Sequence, residues 1–150
     1  MAESVEFDEF VGVADGGEVF QKLLLRDDHP LAGQPFITTE ELAEYPLILP
    51  LRKSIRAEIV NWLHREEKEL KIPLYYTLLS NAALMVEEGL GCAFCMDGAL
   101  AIHGGPHLQF VPLYPKRTTY SVLAWRKNQL FSPATSLFIQ EINMLRASME

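Results

Sequence analysis

Residues 28–50, DHPLAGQPFITTEELAEYPLILP, decide the fold of this chain when read with residues 87–95, EEGLGCAFC. The first stretch reads as a loop, a short helix and a buried strand. Thr38 and Thr39 carry hydroxyls that accept a free backbone N–H at a helix start, and the carboxylates that follow suit the positive end of the helix dipole. Tyr45-Pro46 ends that helix, because proline disfavours the α conformation in the residue before it. Leu47-Ile48-Leu49 is then a short apolar run of the kind buried on both faces in a parallel sheet. In the second stretch a helix over residues 81–88, capped by Ser80, stops at Gly89, and residues 92–96 form another buried strand.

Working outward, residues 5–14 read as a strand followed by an Asp15-Gly16-Gly17 turn, and residues 21–26 as a second strand. Ile55, Ile59, Trp62 and Leu63 recur at helical spacing and predict one helix over residues 54–69. A strand follows over residues 72–79. Ala99 and Leu100 open a short helix stopped by Gly104-Gly105-Pro106. Residues 108–113 and 120–125 read as strands, and residues 133–147 as an amphipathic helix with Ser132 as its cap and proline at its first position. Strands alternating with helices predict a parallel α/β sheet.

This ordered set resembles the effector-binding domain of LysR-type transcriptional regulators. The resemblance is carried by HPLAG, YPLILP, the helix from Ser54 that includes Trp62, NAALMVEEGLGCAFC, and VLAWRK followed by SPATSLFIQEI, and it covers about residues 20–146. It implies a type-2 periplasmic-binding-protein-like α/β fold, with one Rossmann-like lobe and an incomplete second lobe. Residues 25–97 would be the effector-binding lobe II, and residues 1–24 and 98–150 a remnant of lobe I, with the winged helix-turn-helix absent. Two registers remain open at the start: residues 5–14 are either the last strand before the crossover, or the crossover strand itself with an insertion at residues 15–27. The resemblance implies a module that senses a small metabolite and is not an enzyme. A solute-binding protein or an enzyme of the same architecture are the alternatives.

Composition fits this reading. The formal net charge is −7, with 49% hydrophobic and 22% charged residues. Phosphate contacts supply most nonspecific DNA affinity, so an acidic chain without a basic stripe is expected to reach DNA only through an absent N-terminal domain. The acidic start, MAESVEFDEF, lacks a basic-then-apolar signal pattern, which predicts a cytoplasmic protein with no membrane partner. A first lobe without its opening strands would expose an edge and an apolar face, which predicts a homodimer.

Cys92 and Cys95 spell C-x-x-C but fall on a strand, where residues three apart face opposite sides, so they are expected to be buried structural thiols. His103 and His107 flank Gly-Gly-Pro in a loop that fixes no ligand geometry, and neither a metal nor a cofactor is expected. His29 is expected to serve its own turn. The candidate ligand site is the junction Arg52-Lys53-Ser54, after a buried strand and at a helix start, where open α/β sheets bind ligands. Free N–H groups, a hydroxyl and two cations there suit an anion. Ser80 and Asn81 occupy the next strand-to-helix junction, and Met96 the return crossover.

Overall fold

The structure is a computed structural model that describes residues 10–98, 105–126 and 128–148. Contacts divide the chain into two compact units, Phe20–Thr118 and the described residues on either side of it. The helix-strand unit read over residues 25–97 therefore sits inside a larger one. The first part of the strand over residues 5–14 and the short helix at Ala99 lie outside the described residues.

In the Phe20–Thr118 unit, β3 (Leu47–Pro50) lies parallel to β4 (Tyr75–Tyr76) on one side and to β5 (Cys92–Met96) on the other. β1 (Phe10–Arg26) pairs antiparallel with β5 and with β6 (Leu108–Tyr114), and the edge is β2 (Ile37–Thr38), parallel to β6. The sheet is thus mixed, not purely parallel. β1 enters this unit with Gln21 opposite Met96, at the end where β5 finishes, and so runs against its neighbours. Asp15-Gly16-Gly17 lies within this continuous strand instead of forming a turn. Glycine permits a turn without requiring one.

Side chains alternate across the sheet as the pleat dictates. Leu23, Leu25, Leu47, Leu49, Cys92 and Phe94 pack on one face with Leu42 of α1 (Thr39–Ala43) and Ile59 and Leu63 at α2 (Lys53–Trp62). Leu24, Ile48, Ala93 and Cys95 pack on the other with Ala82, Ala83 and Val86 of α3 (Leu79–Glu87). Both faces are covered, which is why Leu47-Ile48-Leu49 is apolar throughout. Cys92 and Cys95 fall on opposite faces, as their spacing predicts.

Local signals account for most boundaries. Thr38 caps α1 in a reciprocal capping box with Glu41. The helix expected over residues 54–69 is broken. α2 ends at Trp62, His64 takes a left-handed backbone conformation with φ of 53°, and residues Glu67–Glu69 form a separate 3-10 turn. Leu63, at the C-terminal cap of α2, and Leu70, which follows the 3-10 turn, are both buried. α3 begins at Leu79, with Leu78 as N-cap, so Ser80 is its second residue and caps nothing. The strand expected over residues 72–79 keeps only Tyr75–Tyr76.

The two glycines after α3 do different work. Gly89, with φ of +79°, closes the helix through Gly89 N–H to Val86 O at 2.9 Å and Leu90 N–H to Met85 O at 3.0 Å. At Gly91 a Cβ would stand 2.7 Å from the Pro46 carbonyl oxygen and 3.2 Å from Ile48 Cγ1, because β5 enters the sheet tight against β3.

In the other unit, β7 (Thr118–Arg126) is followed by α4 (Pro133–Ala147), and Ser132 Oγ accepts from the Thr135 N–H at 3.2 Å as its cap.

Gly91→Ala is expected to cost about 1–3 kcal/mol, as overpacking in a closed core does. Urea unfolding checks it, and an unchanged midpoint would contradict the close approach.

A cleft at the carboxyl ends of the sheet

β3, β4 and β5 end side by side at Pro50, Tyr76 and Met96, and each of the first two feeds a helix. The result is a cleft of about 400 Å³ inside the Phe20–Thr118 unit, lined by Gln21, Pro50, Arg52, Ile55, Ile59, Tyr76, Thr77, Leu79, Phe94, Cys95 and Met96. Its floor is largely apolar, and among the described residues Arg52 is its only charged lining residue. Arg52 is the N-cap of α2, exposed, and makes no ion pair or side-chain hydrogen bond among the described residues. α2 and α3 both start at this cleft, and neither has a side-chain cap on its first turn. Their leading N–H groups and the positive ends of their dipoles therefore remain to be satisfied.

A second arginine shapes the wall instead of facing the cleft. Arg56 Nη1 donates to the carbonyl oxygens of Pro50 at 3.2 Å and Leu51 at 2.8 Å. Its Nε meets Glu67 Oε1 at 3.0 Å, and the guanidinium lies 4.9 Å from the Tyr75 ring centroid. With all these partners it is a structural cation. Tyr76 OH donates to the Phe94 carbonyl at 3.3 Å, tying β4 to β5 beneath the cleft.

Of the residues expected at the site, Arg52 and Met96 line the cleft. Lys53 and Ser54 are the first two residues of α2, exposed beside it, and Ser80 and Asn81 are exposed on the first turn of α3. None of these four is among the lining residues. Thr77 takes the place read for Ser80, since α3 starts earlier than its sequence pattern suggests. Gln21 was hidden by the open register of the first strand. Tyr76, Phe94 and Cys95 read only as sheet residues.

The remaining titratable groups have structural explanations. His29 Nδ1 accepts from the Leu31 N–H at 3.1 Å, which is the turn role expected of it, and partial burial lowers the pKa of its ring against the opposing charge of Asp28. His107 Nδ1 lies 3.2 Å from Asp27 Oδ2, while His103 is outside the described residues. No cluster of three or more His, Cys, Asp or Glu that could hold a metal occurs among the described residues. Nor is any described helix long and apolar enough to cross a membrane. Burial pushes the thiols of Cys92 and Cys95 and the phenol of Tyr76 up to about 12. Such thiols are not nucleophiles near neutral pH.

A three-layer α/β unit with an antiparallel crossover strand and a ligand-sized cleft at the carboxyl ends defines a type-2 periplasmic-binding-protein-like fold. The LysR substrate binding domain matches residues 17–146, and the chain belongs to that family. It is similar to HinK, a LysR family transcriptional regulator from Pseudomonas aeruginosa, with a TM-score of 0.74 and 20% identity over 93% of this chain and 49% of that one. It is similar to the CcmR regulatory domain of Synechocystis PCC6803 in complex with 2-PG, with a TM-score of 0.72 and 18% identity over 97% of this chain and 71% of that one. It is also similar to the effector binding domain of QuiR in complex with shikimate, with a TM-score of 0.75 and 17% identity over 93% and 66%. The chain spans about half the length of the HinK chain it matches. No curated protein sequence matches it.

The raised thiol and phenol values set a pH dependence. Below about pH 8 both folded and unfolded chains largely keep these protons. Between the ordinary values of 9.0 for the thiols and 10.0 for the phenol and the folded values near 12, the unfolded chain loses protons that the folded chain retains. Rising pH then favours unfolding. The urea midpoint is expected to fall between about pH 8 and about pH 10.5, less so in a Cys92→Ala, Cys95→Ala variant. A midpoint flat across that window would contradict the burial.

Proposed function

We propose that this chain is the ligand-sensing module of a LysR-type regulator. Its cleft takes a small acidic metabolite, and occupancy controls DNA binding by the full-length protein. In this reading Phe20–Thr118 is effector lobe II and the flanking residues belong to lobe I. The observation that carries it is the unpaired Arg52 guanidinium at the mouth of an apolar cleft into which two uncapped helices begin. An acidic head group would satisfy the cation and the leading N–H groups, while Ile55, Leu79 and Phe94 would cover an apolar body. Lys53 and Ser54, beside Arg52, and Ser80 and Asn81, on the first turn of α3, add charge and N–H donors around the opening. The structural neighbours in complex with shikimate and 2-PG support a small-molecule occupant in this fold.

A charge-assisted hydrogen bond contributes about 1.5–3 kcal/mol, so Arg52→Ala is expected to weaken binding by about tenfold or more. Calorimetry of the chain with shikimate, benzoate and other small organic acids measures this. Equal affinities in the variant and the parent would remove Arg52 from the site, and no binding by any acid would overturn the acidic-ligand reading.

The same reading includes a homodimer, supported by α4, where Leu137, Phe138, Met144 and Leu145 are all at least half exposed. Sedimentation at micromolar concentration should give a dimer. A stable monomer would contradict it.

A further inference from the structure

Gln21 lines the cleft and also the neighbouring pocket that Arg117 lines, and the orientation of its side-chain amide is fixed by chemistry. Arg117 Nε approaches Gln21 Oε1 at 2.7 Å. A guanidinium has five donors and no acceptor, so the amide atom facing it must be the carbonyl oxygen. The NH2 is then the end of Gln21 left to find another partner, and no hydrogen bond from it occurs among the described residues. Arg117 is itself held firmly. Its side chain is only 10% exposed, Nη1 donates to the Glu58 carbonyl of α2 at 3.1 Å, and Nη2 lies 3.5 Å from Glu58 Oε2. The backbone repeats the link, with Gln21 N–H donating to the Arg117 carbonyl at 2.7 Å. The neighbouring Trp62 Nε1 donates to the Pro115 carbonyl at 3.2 Å, so the segment between β6 and β7 is tied to α2 at two points.

We propose that Arg117 is a positioning residue that holds the Gln21 amide with its NH2 as a donor to the ligand, so that this wall of the cleft selects an acceptor oxygen. The inference rests on the cleft being the ligand site. With Arg52 as the cation and Gln21 as a neutral donor, the head group is gripped from two directions. The acceptor is a carboxylate or carbonyl oxygen, and an ammonium or other pure donor is rejected at this point. Losing the Arg117 contact would free the amide to rotate and present either end.

The test uses the whole chain, benzoate as probe, calorimetry, and 15N spectra in which the Gln21 side-chain NH2 is identified by its disappearance in Gln21→Glu. That variant keeps an acceptor for Arg117, so it preserves the link to α2 but removes the donor. Benzoate is expected to shift the Gln21 NH2 resonances of the parent. Its affinity should fall about tenfold or more in Gln21→Glu with the unfolding midpoint maintained, and Arg117→Lys should retain more affinity than Arg117→Ala. If the parent binds benzoate but the NH2 resonances stay put, or Gln21→Glu binds as tightly as the parent, the positioning role is wrong and the cleft stands. If the parent binds neither benzoate nor shikimate, the cleft reading fails and this inference falls with it.

Discussion

The antiparallel crossover of β1 is the constraint on which the rest of the Phe20–Thr118 unit depends. Leu23, Leu24 and Leu25 are fully buried, and the strand is paired on both edges, to β5 and to β6. Successive leucines enter opposite cores, so β1 ties together the α1–α2 layer and the α3 layer. Truncating any one of them would remove about 2–5 kcal/mol, a large part of an ordinary domain's stability. The surface pair Lys22–Asp97 at 2.7 Å contributes little by comparison, being partly solvated at both ends. The same crossover places Gln21 beside Met96, so the strand that closes the core also supplies a wall of the cleft.

The cleft follows from this arrangement. Parallel strands put their last residues at one end of the sheet, and the helices that follow begin there. Apolar side chains from both cores reach that end, Ile55 and Ile59 from one layer and Leu79 from the other. Arg56 spends its donors on the wall, while Arg52, which lines the cleft, has no side-chain partner among the described residues. The two arginines thus divide structural and binding roles within one turn of helix.

Much of this was legible in the residues. LILP and CAFC are apolar at every position because both faces are covered. Thr38 was legible as a cap beside Thr39, though not its reciprocal box with Glu41, and the Ser132 cap read directly. Gly89 read as a helix stop, and Gly91 needed the structure, since only the distance to Pro46 shows why no side chain fits. The misreadings have physical causes. Gly16-Gly17 signals a turn locally, yet both glycines lie inside one continuous strand, β1. The apolar spacing from Ile55 to Leu63 suits one long helix, but it carries no sign of the left-handed backbone at His64 that ends α2. At the site, Arg52 was legible as a helix start. Gln21 and Thr77 were not, because both depend on registers that neighbouring strands set.

The central claim is that a small acid binds at the carboxyl ends of β3, β4 and β5. Titrating the 15N-labelled chain with shikimate or benzoate and mapping the backbone shifts tests it most directly. The account predicts saturable shifts concentrated at Gln21, Arg52, Thr77 and Met96. Shifts centred instead on Arg26 and His29, at the opposite end of the sheet, or no saturable shifts at all, would contradict it.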